Sequence, residues 1–268
     1  MQLKVINLKD EYSNFLPNDV YLTCVTYDLL EMNHKRLGIL ILPGGGYNFT
    51  SAREKDPIMF KMLSFGFNVF ALEYSCKTTY PIPHIEVACA MHYINTHHEE
   101  FNLEEYKTSL MGFSAGGHLA ASYGYIYKTL ADSHEEEILI RPYSIVLGYP
   151  VISLSKSPLL DTRKNITDNK PDLIKLLDVD EHISFDYPPT FMFTTKTDQV
   201  VDPKNVKWMK DALNKKKVKN KCIIFSKGPH GLALANYASY NGNPQFVNEE
   251  VSAWPKYASD FIYKLKEK

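Results

Sequence analysis

Ser114 lies between Gly112 and Gly116 in the run Leu110-Met-Gly-Phe-Ser-Ala-Gly-Gly-His-Leu119. That spacing suits a serine nucleophile. Where a strand turns at once into a helix, the serine is forced into a strained backbone, and only glycine at the flanking positions lets neighbouring segments pass closely. Thr108-Ser-Leu-Met-Gly112 reads as a short buried strand, and Gly117 to Ile126 as the opening of an apolar helix. Five residues with three fixed identities also recur in ordinary turns, so the chemistry must be sought elsewhere in the chain as well.

A serine hydroxyl needs a histidine as base and a carboxylate to hold the imidazole in its productive tautomer. Both follow in the order serine, acid, histidine, each after an apolar run. Asp198 and Asp202 follow Thr190-Phe-Met-Phe-Thr-Thr195, and His230 follows Cys222-Ile-Ile-Phe225 within Ser226-Lys-Gly-Pro-His-Gly231. Asp202 immediately precedes Pro203, at the start of a helical pattern, and reads as a helix cap, which leaves Asp198 as the acid. His118 is held near Ser114 by helical spacing, but its direction would follow the helix rather than approach the hydroxyl. His84, His92, His97 and His98 fall on or before a helix ahead of the serine, where exposed surface explains them. His34, His134 and His182 fall in polar loops. Acyl transfer also needs donors for an oxyanion. Pro43-Gly-Gly-Gly-Tyr47 follows the apolar run Leu37–Leu42 and offers uncrowded backbone N–H groups, with the N–H of Ala115 to complete the hole. A phosphate loop is the other use of such glycines, but no Gly-Lys-Ser/Thr ending follows.

The elements that must position these groups alternate along the chain. Strands are expected at 20–27, 37–42, 68–74, 108–113, 144–149, 190–195 and 221–225, and helices at 57–65, 85–99, 117–128, 203–216 and 251–266. Such alternation predicts an α/β fold: a mostly parallel, twisted sheet of about eight strands flanked by helices. The 268 residues read as one domain, 1–268. Residues 153–187, bracketed by Pro158, Pro171, Pro188 and Pro189, break the rhythm. They form a cap-like insertion before the acid-bearing strand, a lid or a surface excursion, with a short amphipathic piece at Pro171–Leu177.

Thirty basic and 31 acidic residues give a net charge of −1, which supplies no field favouring nucleic acid. The basic run 215–221 reads as a solvated helix end or loop. Cys24, Cys76, Cys89 and Cys222 lack the paired spacing of a zinc or redox centre. No metal and no organic cofactor is required by the expected chemistry. The N-terminal residues do not form a leader and no apolar run reaches 18 residues, so a soluble, cytoplasmic protein with no membrane partner is expected.

With these motifs in place, the chain resembles the α/β-hydrolase superfamily, and within it the acetylesterase and carboxylesterase group related to hormone-sensitive-lipase-like enzymes and carbohydrate acetyl esterases. Besides the serine motif, the likeness rests on Pro43–Tyr47, Ser51-Ala-Arg-Glu54, Glu73-Tyr-Ser75, Gly148-Tyr-Pro-Val151, Pro188-Pro-Thr-Phe191, Thr197-Asp-Gln-Val200 and Gly228-Pro-His-Gly231. It implies Ser114 as nucleophile, Asp198 as acid, His230 as base, and the N–H groups of Gly45, Gly46 and Ala115 as oxyanion donors. Pro43 stands where relatives carry histidine, which leaves open which two glycines point inward. The likeness also implies a small-molecule ester substrate, with acetylated sugars or xylo-oligosaccharides as the class, and a homodimer as a common state of such esterases. Tyr47, Tyr74 and Tyr149, at expected strand ends, are placed to stack on a sugar or to fill the core. Arg53 is placed to contact a polar group of the substrate or to pair with a nearby carboxylate. A peptidase or other amide hydrolase shares the same triad, and a silent binding protein shares the same fold.

Overall fold

A computed structural model describes residues 1–27 and 34–267. Among them, eight strands form one sheet: β1 (Gln2–Asn7), β2 (Tyr21–Thr26), β3 (Arg36–Leu42), β4 (Asn68–Glu73), β5 (Leu103–Phe113), β6 (Ile145–Gly148), β7 (Thr190–Thr195) and β8 (Asn220–Phe225). The spatial order is β1-β2-β4-β3-β5-β6-β7-β8. β1 and β2, and β2 and β4, pair antiparallel, and every later pairing is parallel. The helices are α1 (Lys9–Tyr12), α2 (Asp56–Leu63), α3 (Ile82–Thr96), α4 (Ser114–Leu130), α5 (His134–Ile140), α6 (Leu160–Thr167), α7 (Pro171–Leu176), α8 (Lys204–Lys215) and α9 (Trp254–Lys266). None of the described helices is long and apolar enough to cross a membrane.

The architecture is the α/β one expected, a mostly parallel eight-stranded sheet flanked by helices. Its central strand β3, Arg-Leu-Gly-Ile-Leu-Ile-Leu, is buried along its whole length because helices cover both faces of the sheet. The side-chain period of two divides it: Leu40 and Leu42 belong to one buried cluster with Val87 of α3, Leu119 of α4 and Met209 of α8, whereas Ile39 and Ile41 belong to the other with Met62 of α2 and Trp254 and Ile262 of α9. Each fully buried aliphatic side chain contributes roughly 1.5–3 kcal/mol, so the two layers fix the strand order and thereby the strand ends.

Several elements depart from expectation. β1, where no strand was expected, is an edge strand whose apolar Leu3 and Val5 are exposed. β5 begins at Leu103 rather than Thr108, reaching β3 across a register shift between Arg36 and Gly38. The segment 153–187 lies between β6 and β7 and contains α6 and α7. Asp178, just after α7, is tied to the start of the segment: its Oδ1 accepts from Ser153 Oγ at 2.9 Å, Leu154 N at 2.7 Å and Ser155 N at 3.0 Å.

Candidate active site

Four parallel strands, β3, β5, β7 and β8, end on the same side of the sheet, where α/β folds generally gather their ligand sites. β5 ends at Phe113 in extended conformation, and the next residue, Ser114, has φ +52° and opens α4. A non-glycine residue at positive φ is strained. The turn is possible because Gly112 and Gly116 lack side chains: a Cβ on Gly112 would stand 2.2 Å from the Gly116 carbonyl oxygen, and one on Gly116 2.2 Å from that of Leu42.

The three predicted chemical groups meet here. Ser114 Oγ lies 2.8 Å from His230 Nε2, and His230 Nδ1 lies 2.7 Å from Asp198 Oδ2. The Asp198 side chain is fully buried, and its other oxygen accepts from the N–H groups of Val200 at 3.0 Å and Val201 at 2.9 Å. With a carboxylate as its partner, Nδ1 carries the ring proton and Nε2 faces the serine as an acceptor. Asp202 accepts from Lys204 N at 2.8 Å at the start of α8, the capping position expected of it.

The glycine loop after β3 faces Ser114. Gly45 at φ +133° and Gly46 at φ +65° have backbone conformations that favour glycine. The N–H of Gly44 is engaged by Glu54 Oε2 at 2.7 Å, so this glycine turns its donor away from the site. Those of Gly45 and Gly46 form no hydrogen bond among the described residues, and both residues line the cavity. Ala115 stands in the first turn of α4, where N–H groups have no partner within the helix and the helix dipole favours negative charge.

Glu54 has no counterpart in the sequence-derived site. Its carboxylate is buried behind the loop, with Oε2 on Gly44 N and Oε1 accepting from the Tyr149 hydroxyl at 2.7 Å. Tyr149 accepts in turn from Ala233 N at 3.0 Å, and its ring packs edge-on against His230 at 5.0 Å. Burial pushes the Glu54 carboxyl up, against the pull of the Tyr149 and Gly44 hydrogen bonds. In the sequence Glu54 is one acidic residue in the polar stretch Thr50-Ser-Ala-Arg-Glu-Lys55 after the glycine loop, and this does not reveal burial.

Tyr47, Tyr74 and Tyr149 do not stack on anything in the cavity. All three are at most 2 % exposed. Tyr47 OH bonds His118 Nδ1 at 2.8 Å, Tyr74 OH donates to Pro43 O at 2.6 Å, and Tyr149 OH is held by Glu54. They buttress the glycine loop from below, because strand ends that lie under a loop are covered by it. The aromatic ring that does reach the cavity is the exposed Phe49. His118 is buried and points away from Ser114. Its Nε2 donates to Leu177 O at 2.9 Å, so its Nδ1 accepts from Tyr47, and burial lowers its pKa to about 4. His84 is not a surface residue either: it is buried against Ser122 Oγ at 2.8 Å, with its pKa lowered to about 3 by desolvation and then by His118.

The cavity over Ser114 and His230 has a volume of about 250 Å³. Its walls are Phe49, Val200 and Val201, together with Leu159 and Thr162 of the segment between β6 and β7. Arg53 stands at its edge beside Gly231.

The BD-FAE family model matches residues 29–213, a stretch that takes in Ser114 and Asp198 and stops before His230. Endo-1,4-beta-xylanase B of Butyrivibrio fibrisolvens is 28 % identical over 217 residues, covering 78 % of this chain and 34 % of that protein. The chain thus spans about a third of the length of the curated relative it matches. Among solved structures, the carboxylesterase Cest-2923 from Lactobacillus plantarum WCFS1 superposes with a TM-score of 0.86 at 26 % identity, over 99 % of this chain and 98 % of that one. The acetyl ester-xyloside bifunctional hydrolase from Caldicellulosiruptor lactoaceticus gives 0.85 at 26 % identity, over 98 % and 96 %. A sugar hydrolase from Lactococcus lactis gives 0.81 at 27 % identity, over 99 % of each chain.

Proposed function

The chain belongs to the BD-FAE family and is a carboxylic ester hydrolase of the α/β-hydrolase fold, and from that premise we propose that it removes short acyl groups, acetyl above all, from sugars or xylo-oligosaccharides through an acyl-serine intermediate. The observation that carries this reading is the unbroken hydrogen-bonded line Asp198–His230–Ser114 at the floor of the cavity. His230 takes the hydroxyl proton as Ser114 attacks the ester carbonyl, and returns it to the departing alcohol oxygen. Asp198 holds the ring and stabilises the imidazolium. The N–H groups of Gly45, Gly46 and Ala115 receive the oxyanion, and water then cleaves the acyl-serine with the same base.

The volume favours a small acyl group, since about 250 Å³ lies below the ~300–1,000 Å³ of pockets that enclose drug-sized ligands. Phe49, rather than the three tyrosines, offers a face to a sugar ring. The 153–187 segment acts as a cap in this reading, because its Leu159 and Thr162 wall the site. The names of two structural neighbours, one a hydrolase of acetyl esters and xylosides and the other of sugars, support the carbohydrate assignment.

Acetate release from acetylated xylose and xylo-oligosaccharides, beside p-nitrophenyl esters of increasing chain length, tests the proposal. We expect preference for the acetylated sugars and loss of turnover in Ser114→Ala. Activity confined to synthetic esters would reduce the reading to a general short-chain esterase, and activity surviving in Ser114→Ala would overturn the mechanism.

A further inference from the structure

Arg53 precedes Glu54 on the short turn Ala52–Glu54, and it lines the same cavity as Ser114 and His230. Its Nε donates to Ser239 O at 2.6 Å, and its plane lies 3.9 Å over the Phe246 ring, so the guanidinium is fixed in one orientation. The remaining nitrogens are not matched by the protein. Nη2 is buried without a hydrogen-bond partner, and no described residue accepts from Nη1. Arg53 forms no ion pair among the described residues, and Glu54 acts on it only through space. A guanidinium carries five N–H donors, all in one rigid fork, and here the protein uses only the one on Nε. Leaving such donors unmatched beside a cavity is costly unless a ligand accepts from them.

The position says which part of a ligand this would be. Nη1 lies 4.0 Å from where a Cβ on Gly231 would stand, next to the base His230. His230 must hand its proton to the departing alcohol oxygen, so the alcohol half of the ester lies against His230 and Gly231, while the carbonyl oxygen turns to Gly45 and Gly46. We propose that Arg53 is a specificity-determining residue: it donates to a second oxygen on the alcohol half, adjacent to the ester oxygen, so that the enzyme selects monoesters of diols and sugars over esters of simple alcohols. This rests on the esterase reading above and narrows its substrate class.

The test compares 2-hydroxyethyl acetate with ethyl acetate, which differ by one hydroxyl, in the wild type and in Arg53→Met, which keeps a long apolar stem on Phe246. The wild-type ratio of kcat/KM should exceed the Arg53→Met ratio by roughly 10- to 100-fold, the range for a charge-assisted hydrogen bond. Dividing one ratio by the other cancels the intrinsic reactivity of the esters. A residue that merely shapes the loop through Ser239 would lower both substrates alike and leave the ratio unchanged, and that result would overturn the proposal. Arg53→Lys keeps the charge without the fork and should give an intermediate ratio. If Arg53→Met does not fold, an unchanged ratio in Arg53→Lys is the refuting result. Acetoxyacetate, which carries a carboxylate in place of the hydroxymethyl group, separates the two sources of oxygen: a loss in Arg53→Met smaller for acetoxyacetate than for the hydroxyethyl ester supports selection of a neutral alcohol half, and a larger loss assigns Arg53 to an acidic one and overturns the selection of diols and sugars. p-Nitrophenyl acetate separates the two readings, since its hydrolysis without any Arg53-dependent ratio sinks this inference alone, and a failure to hydrolyse any ester sinks both.

Discussion

Substituting Gly116 with alanine would force apart the two sides of the proposed oxyanion pocket while leaving every reacting group in place. A Cβ at this position would stand 2.2 Å from the Leu42 carbonyl oxygen and 2.4 Å from that of Pro43. Carbon–oxygen contacts ordinarily begin near about 3.3 Å, so a separation of about 1 Å is needed. Both obstructing atoms are backbone, so no rotamer change relieves the overlap. Pro43 leads directly to Gly45 and Gly46, and Gly116 shares the first turn of α4 with Ser114 and Ala115. The shift therefore opens the distance between the two sets of donors. A misplacement of about 1 Å in a reacting geometry costs on the order of 10²-fold in rate, whereas overpacking costs about 1–3 kcal/mol of a stability of about 5–15 kcal/mol. Gly116→Ala should remain folded, with Tm lowered by several degrees and kcat for p-nitrophenyl acetate lowered about 100-fold. Gly242→Ala, where nothing lies within 4 Å, serves as the control. Steady-state kinetics beside thermal unfolding gives the answer. A Gly116→Ala enzyme with a lowered Tm and a wild-type kcat would refute the claim that this contact sets the pocket.

Two further outcomes follow from the buried polar groups. Glu54→Gln offers one acceptor oxygen where the donors Gly44 N–H and Tyr149 O–H converge, and its NH2 group must face one of them. We expect kcat to fall by roughly 10- to 100-fold, with Tm little changed because the neutral side chain relieves the desolvation that raises the carboxyl pKa; kinetics indistinguishable from wild type would exclude Glu54 as a support of the loop. Acid should destabilise the fold through His118 and His84, whose pKa values are depressed to about 4 and about 3 from 6.5. Between pH 6.5 and those values the unfolded chain binds protons that the folded chain refuses, so stability drops as pH falls, by roughly 3–4 kcal/mol for the pair from pH 7 to pH 5. Urea unfolding at the two pH values measures it, and equal midpoints with equal slopes would exclude the effect.

What the sequence reveals and what it conceals have distinct physical origins. Strands buried on both faces, such as β3, announce themselves as continuous apolar runs, whereas the short edge strand β1 is exposed on both faces over its first four residues and has no such run. Helix α4 is legible from its apolar side chains, but its start at Ser114 rather than Gly117 depends on the turn that the glycines permit. Ser114, Asp198 and His230 could be read from the order of motifs after strands, and the structure brings them within hydrogen-bonding distance. The tyrosines mislead because strand ends look alike in sequence whether a loop covers them or leaves them open. His84 misleads because Pro-His-Ile-Glu-Val carries two polar residues at the start of α3, yet His84 and Glu86 are both fully buried. Glu54 was invisible because its role lies in two partners, Gly44 and Tyr149, 10 and 95 positions away.

Asp198 takes its hydrogen bonds from the backbone of Val200 and Val201, the same two residues whose positions form part of the cavity wall. The wall and the support of the acid are thus encoded in different atoms of the same positions. The side chain at 200 can be exchanged to admit other acyl or sugar groups while the amide donor stays in place, proline alone removing it, whereas Val201 is also held by the hydrophobic core. Val200, already exposed, is the freer of the two. The loop thereby decouples substrate range from catalytic machinery. It is a place where a lineage, or a directed-evolution library, can explore new esters without first losing the old reaction.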